Sequence, residues 1–91
     1  MALVQEIFNP LLASASIQIF GNRGGMLGGF ICSTAGTITL ALGTGGVGAA
    51  VLASTAVVAG QYLPLPFAIP PGVNGLYATL DGGCTGTFAI I

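Results

Sequence analysis

The stretch Thr37–Leu42, TITLAL, alternates threonine or alanine with large aliphatic residues. Successive side chains of a β-strand point to opposite faces, so a period of two predicts a strand with one buried face. The aliphatic side chains on that predicted face are Ile38, Leu40 and Leu42. A turn signal at residues 34–36 precedes the stretch and the glycine-rich segment GTGGVG, residues 43–48, follows it, which bounds the strand on both sides.

Shorter stretches of the same kind lie on both sides of TITLAL. They predict further strands at residues 16–20, 28–33, 49–55, 61–67, 76–80 and 84–91. For residues 49–55 a helix over residues 47–58 is the alternative, because periodicity alone does not separate the two. About six to eight short strands, with a turn roughly every ten residues, predict an all-β fold: a small antiparallel β-sandwich or a jelly-roll-like barrel.

Prolines and turn residues indicate how some strands are placed. Residues 61–67 contain Pro64 and Pro66, and because proline has no N–H for a sheet ladder, this segment is predicted to be an edge strand. Asp81-Gly82-Gly83 predicts a hairpin turn between the last two strands. Outward-facing positions hold Thr, Ser, Gln and Ala rather than the charged residues that usually prevent edge-to-edge pairing. We therefore expect the outer faces and edges to contact other subunits.

The N-terminal stretch MALVQEIFNPLLAS differs from the rest because it has no glycine and repeats apolar residues at helix-like spacing. Pro10 disfavours a helix through Asn9. We predict two parts: residues 1–14 form an arm for subunit contacts, and residues 15–91 form the β-sandwich domain. The candidate contact residues of the arm are Leu3, Ile7, Phe8 and Leu11. The residues leave open whether the arm binds a partner or covers one end of its own domain.

Charge is nearly absent from the 91 residues, of which 3% are charged, against about a quarter in ordinary soluble domains. The three charged residues are Glu6, Arg23 and Asp81, and there is no histidine. Acid–base or nucleophilic catalysis needs converging titratable groups, so we predict no enzyme, no catalytic residues and no cofactor. A single arginine does not supply the clustered phosphate contacts of nucleic-acid binding. Arg23, in a glycine-flanked loop, and Glu6 are the candidate intermolecular polar contacts.

Two cysteines, Cys32 and Cys84, are too few for a disulfide framework, and without histidine they do not make a metal site. Their expected state is a pair of small buried hydrophobic residues with free thiols, with a disulfide as the alternative. The start MALV has no basic region before an apolar run, so we predict no secretory signal and synthesis in a reducing cytoplasm.

A membrane segment is the main competing interpretation of this composition. Residues 24–80 carry no charge, and the segment Ile38–Gly60 has the length to cross a bilayer. However, four glycines interrupt any helix between residues 43 and 48, and no basic residue flanks the segment. The sequence therefore favours no membrane association and keeps a small membrane-active, holin-like protein as an alternative.

Four segments together have a recognisable pattern of strands, turns and prolines. They are GGFICSTAGTITLALGTG at Gly28–Gly45, VLAS at Val51–Ser54, AGQYLPLPFAIPPGVNGLYATLDGG at Ala59–Gly83 and TGTFAII at Thr85–Ile91. The pattern resembles that of small structural proteins of tailed bacteriophage virions. The resemblance implies a β-sandwich that decorates or cements the head, or that belongs to a fibre or tail. The apolar start and the lack of charge depart from the usual pattern and suit an embedded or oligomeric position.

The sequence and this resemblance lead to one expectation. The chain is expected to be a non-enzymatic virion structural protein, a capsid decoration or cement protein, with a tail or fibre-base component as the alternative. Its expected partners are the major capsid protein or other virion proteins and further copies of itself, with a cyclic trimer favoured. The expected location is the virion, assembled in the host cytoplasm.

Overall fold

Strands dominate the computed structural model, which describes residues 9–91. Within that range there are eight strands and one short 3-10 turn at Thr44–Gly46. The strands are β1 (Asn9–Ala13), β2 (Ile17–Phe20), β3 (Gly25–Thr34), β4 (Gly36–Leu42), β5 (Ala50–Val57), β6 (Tyr62–Ile69), β7 (Leu76–Asp81) and β8 (Thr85–Ile90). The segment Ile38–Gly60, long enough to span a bilayer, is thus divided between β4, the 3-10 turn and β5. Residues 50–55 lie in β5, which excludes the helical alternative.

The strands form two four-stranded antiparallel sheets: sheet A in the order β1-β8-β3-β6 and sheet B in the order β2-β7-β4-β5. Strand β1 pairs with β8, β2 with β7, β3 with β6 and β4 with β5. The chain is therefore one long antiparallel hairpin whose two arms are joined by the β4–β5 connection. The hairpin is rolled up, so that successive strand pairs lie alternately in sheet A and sheet B. This is the jelly roll, the eight-stranded double-sheet fold built from Greek keys, and it confirms the predicted fold class.

The core lies between the inner faces of the two sheets. Ile38 and Leu40 are fully buried there and Leu42 is half-buried, as the alternation of TITLAL predicts. On the inner face of sheet A, Phe30 and Phe88 are cross-strand partners with ring centroids 4.6 Å apart, and both are fully buried. Each buried aromatic side chain removes more apolar surface from water than an aliphatic one. These two rings therefore compensate for the many small residues of the chain.

Glycine permits the close packing around this aromatic pair. A Cβ atom on Gly86 would collide with the ring of Phe30 and with the backbone of Ile31. Gly86 lies opposite Cys32 in the ladder, next to the Phe30–Phe88 pair. The ring of Phe30 thus lies directly over the β8 backbone, a contact that any side chain at position 86 would prevent.

The connection between β7 and β8 corrects one prediction. Asp81-Gly82-Gly83 does form a tight turn, in which the N–H of Cys84 donates to the carbonyl of Asp81 at 3.3 Å. However, β7 lies in sheet B and β8 in sheet A, so the turn joins the two sheets and is not a hairpin. Turn residues indicate that the chain reverses, whereas the sheet that the next strand joins depends on pairing with distant strands.

All four sheet edges are interrupted without the use of charge. Edge strand β6 carries Pro64 and Pro66, which confirms the predicted edge position, and β1 carries Pro10. In sheet B, β2 has four residues and an irregular register, and β5 has two register shifts, each with an extra residue on β5. Proline, short length and bulges all discourage pairing with another strand. Of the outer faces and edges that are expected to contact other subunits, the structure therefore favours the faces.

The predicted arm lies partly within the sandwich. Asn9–Ala13 forms β1, with Leu11 packed against the core and Ala13 buried. Leu3, Glu6, Ile7 and Phe8 lie outside the described residues. A test of the arm that keeps the sandwich intact is therefore confined to residues 2–8, because a longer deletion removes an edge strand.

Gly75 and Gly60 provide a matched test of this packing. Both have φ +84, where a side chain costs about 1–2 kcal/mol, but a Cβ on Gly75 would collide with the backbone of Phe20, whereas Gly60 faces open space. We expect Gly60→Ala to lower the free energy of unfolding by about that backbone cost and Gly75→Ala to abolish the folded state or lower its stability much further. Urea unfolding followed by circular dichroism checks this, and equal losses would contradict it.

Candidate interaction surface

The outer face of sheet A is mostly apolar. The ladder register places Leu12, Thr87, Ile31 and Tyr62 side by side across all four strands. A neighbouring row consists of Pro10, Ala89, Gly29 and Pro64. Leu12 is 79% exposed, and Ile31 and Tyr62 are about half exposed, at 50% and 51%. We call these two rows the sheet A face; it holds eight residues, none of them charged.

A groove of about 580 Å³ crosses this face. It is lined by Pro10, Ile31, Tyr62, Thr87, Phe88 and Ala89. A smaller depression of about 260 Å³ lies beside it, around Leu12 and Ser33. Side chains from all four strands of sheet A therefore form the groove, and its lining holds no ionisable carboxylate, amine or imidazole.

Tyr62 forms one wall of the groove because of a glycine. A Cβ on Gly29 would collide with the Tyr62 ring, which therefore lies over the bare backbone of β3. The Tyr62 hydroxyl donates to the carbonyl of Gly28 at 3.4 Å. An aromatic ring that covers a glycine on the neighbouring strand helps to fix the register of the two strands, and here it places the Tyr62 ring against β3.

The outer face of sheet B is polar by contrast. Its central ladder pair is Thr39 and Thr79, and the next row places Gln18 beside Tyr77 and Ala41. Asp81, one of the three charged residues of the chain, pairs with Thr37 at the end of the same face. The two outer faces therefore differ in polarity.

The glycine-rich loop at residues 43–48 closes onto its own sheet. The N–H of Gly45 donates to Oε1 of Gln18 at 2.9 Å, and Nε2 of Gln18 lies 2.8 Å from the carbonyl of Phe20. The N–H of Gly48 donates to the carbonyl of Leu42 at 2.7 Å. These donors are used within the fold, so the loop acts as the connection between β4 and β5.

The two cysteines lie in the core as free thiols. The Cys32 thiol donates to the carbonyl of Thr34 at 3.2 Å. Burial raises the pKa of the Cys84 thiol, and the neighbouring Cys32, including a hydrogen bond between the two side chains, raises it further. The thiolate is the nucleophile and metal ligand, so the raised pKa lowers the reactivity of Cys84. Their role in this structure is to pack.

The candidate residues from the sequence do not converge on one point. Arg23 is exposed in the loop between β2 and β3, where the N–H of Gly24 donates to the carbonyl of Gly21 at 2.9 Å. Leu11 faces the core rather than the sheet A face. Glu6, Leu3, Ile7 and Phe8 lie outside the described residues. Intermolecular contacts of Arg23 and of the arm stay predictions.

Sequence reasoning missed Leu12, Ile31 and Tyr62. Leu12 and Ile31 each lie between inward-facing residues of their strands, for example Ile31 between Phe30 and Cys32, and Tyr62 begins β6 next to the half-buried Leu63. A period of two marks such residues as outward-facing, so an aliphatic or aromatic residue at an outward position is the signal that identifies them. What the period does not reveal is that the three strands carrying them belong to one sheet.

Within residues 9–91 there is no group of three or more histidine, cysteine, aspartate or glutamate residues placed to hold a metal ion. Across the same residues, no helix has the length and hydrophobicity to cross a membrane. Comparisons of the chain with protein families, curated proteins and solved structures found no match.

The raised pKa of Cys84 predicts a pH dependence of stability. Above pH 9.0, the ordinary pKa of the thiol, the unfolded chain loses the Cys84 proton more readily than the folded chain, so stability is expected to fall as pH rises from about 8.5 to 10. Thermal unfolding across this range measures the slope. In Cys84→Ala we expect stability to fall less steeply with pH, whatever the stability of the variant at the lowest pH. An unchanged slope would show that other groups cause the pH dependence.

Proposed function

We propose that this chain is a non-enzymatic structural protein of a bacteriophage virion, a capsid decoration or cement protein that self-associates and stabilises or decorates the head shell. The observation that carries the proposal is an uncharged, apolar sheet A face on a jelly roll. Jelly rolls recur in viral capsid proteins. The sequence resemblance to phage structural proteins points in the same direction.

The chemistry of the surface supports assembly rather than catalysis. The sheet A face offers apolar side chains and few hydrogen-bonding groups, and both thiols are buried. The largest apolar patch on a soluble protein is often a functional surface. With three charged residues in the whole chain, electrostatic repulsion does little to keep copies apart. A protein with this surface suits a densely packed assembly.

The size of the face favours many weak contacts acting together. The sheet A face has two outward residues on each of four strands that lie about 4.8 Å apart, which gives a flat area of roughly 250 Å². Stable pairwise interfaces bury about 800 Å² on each partner. An oligomer that binds a shell of repeated subunits through several such faces compensates for the small area of each contact through avidity. This supports self-association combined with attachment to a shell of repeated subunits.

Particle binding tests the proposal. Purified chain is added to virions assembled without it, and the bound fraction is measured by sedimentation. We expect the wild type to bind and Leu12→Glu to lose most of its binding, because a carboxylate in the apolar face stays unpaired when desolvated. The matched control is Thr39→Glu, which places the same charge on the sheet B face and is expected to bind as the wild type does.

Imaging of the decorated particle distinguishes head from tail. Density repeated over the shell is expected for a decoration or cement protein. Density confined to one vertex or to the tail would contradict a location on the shell and would support the tail or fibre-base alternative. Failure of the wild-type chain to bind any part of the particle would contradict a virion role.

A further inference from the structure

We infer that Cys32 and Cys84 form a site of disulfide modification, in which oxidation of the folded chain joins their two sulfur atoms within one copy. The bond fastens the two corners at which the chain passes between the sheets. The inference goes beyond the proposed function and does not depend on it. It rests on the contact between the two buried side chains, on their place in the fold, and on the exposed turn beside Cys84.

The two thiols lie in the same part of the core. Both cysteines are 2% exposed. Cys32 lies opposite Gly86 in the ladder between β3 and β8, and Cys84 lies two residues before Gly86 in the chain. The side chains of the two cysteines are hydrogen-bonded to each other, so their sulfur atoms are in contact. The chain has two cysteines, and each is therefore the other's partner within one copy.

The position of Cys84 outside the ladder makes this contact possible. In a regular ladder such diagonal neighbours are about 7–8 Å apart, which is longer than most disulfides allow. Here β8 begins at Thr85, so Cys84 belongs to the turn. The ladder is also irregular at this point, because Cys32 pairs with Gly86 but Thr34 already pairs with Thr85. The bulge and the turn together depart from the regular spacing, and the two side chains meet.

A Cys32–Cys84 bond joins two corners of the fold. At Ala35 the chain passes from β3 in sheet A to β4 in sheet B, and at residues 82–84 it returns from β7 in sheet B to β8 in sheet A. A Cβ atom on Gly36 would collide with Cys84, so the two corners are already packed together. The bond closes a loop that contains the whole of β4, β5, β6 and β7. A cross-link that closes so long a loop stabilises the fold by restricting the unfolded chain.

An oxidant reaches the pair through the turn beside Cys84. Asp81, Gly82 and Gly83 are exposed, and both glycines have positive φ. The N–H of Cys84 donates to the carbonyl of Asp81 at 3.3 Å, which is long for a hydrogen bond of this kind. Exposed turns open locally at a lower free energy than the whole fold. Opening of this turn exposes Cys84 and leaves the ladder between β3 and β8 paired.

A small-molecule disulfide such as oxidised glutathione is the co-reactant. The thiolate of one cysteine attacks a glutathione sulfur, which forms a mixed disulfide and releases one glutathione thiolate. The thiolate of the other cysteine then attacks the protein sulfur of the mixed disulfide and releases the second glutathione. The protein loses two electrons and two thiol protons, and two molecules of reduced glutathione gain them. In a reducing cytoplasm the pair stays free, and the bond forms where oxidised glutathione prevails.

The raised pKa of Cys84 affects the rate of this reaction. In the closed turn burial keeps the Cys84 thiol protonated, and the thiolate is the reacting form. Oxidation of the folded chain therefore proceeds through the open turn, and we expect it to be slow. Refolding the chain from urea in the presence of oxidised glutathione removes this barrier and gives the same product.

Thiol counting by mass spectrometry is the first test. The reduced chain is incubated with oxidised glutathione, both folded and during refolding, and is then denatured and treated with N-ethylmaleimide. We expect the refolded wild type to take up no label and to carry no glutathione, with the mass of one 8.9 kDa chain less two hydrogen atoms. The controls Cys32→Ala and Cys84→Ala are expected to carry one glutathione or one label. A refolded wild type that takes up label, retains glutathione or is linked to a second copy would overturn the inference.

Thermal unfolding shows whether the fold favours the bond. We expect the midpoint of the oxidised wild type to lie about 10–20 °C above that of the reduced wild type at the same protein concentration. The oxidant should bring no such gain to Cys32→Ala, which is the matched control. By the same linkage, the disulfide in a glutathione buffer should be at least about tenfold more favourable in the folded chain than in urea. An oxidised chain that unfolds at the same or a lower temperature than the reduced chain would mean that the bond strains the fold, which contradicts the inference.

These outcomes are independent of particle binding. A chain that forms the bond and binds no virion would contradict the proposed function and leave the disulfide site intact. A chain that binds the shell and stays reduced would do the reverse.

Discussion

The jelly roll depends on one apolar layer between two sheets, in which Phe30 and Phe88 are the largest fully buried side chains. Ring centroids 4.6 Å apart on neighbouring strands hold β3 and β8 together at the centre of sheet A. Few other side chains are large, because the chain is rich in alanine and glycine. Gly86 lets the Phe30 ring lie on bare backbone, so the small residues permit the packing that the large ones stabilise.

The same pairing of an aromatic ring with a glycine recurs on the opposite side of sheet A. Inside, Phe30 covers Gly86; outside, Tyr62 covers Gly29. The inner pair contributes to folding, and the outer pair forms a wall of the groove. In this chain with few large side chains, a glycine thus leaves room for an aromatic ring twice in sheet A, once in the core and once at the groove.

Protection of the edges and composition of the faces have different consequences in this protein. Prolines, bulges and a short strand interrupt the edges, so uncontrolled strand pairing is discouraged even though charges are nearly absent. The faces have no such protection, and one of them is apolar. Association through a face leaves the sheets themselves closed, which suits a subunit that joins an assembly while keeping its own fold.

Much of the fold was predictable from the sequence because it depends on local chemistry. The period of two in TITLAL determines which side chains face the core, and the prolines of residues 61–67 determine an edge strand because they lack an N–H. The glycine-rich loop and the turn at Asp81 are equally local. These features depend on residues a few positions apart in the chain. The relative positions of such residues are set locally and do not depend on the rest of the fold.

Only the tertiary structure decided what depends on distant residues. It placed β7 and β8 in different sheets although a tight turn joins them, because each strand pairs with partners elsewhere in the chain. It also brought Leu12, Ile31, Tyr62 and Thr87 from four separate strands into one row. Sequence alone determined that these residues face outward, whereas the pairing of strands, a property of the whole chain, decided that they lie together on one apolar face.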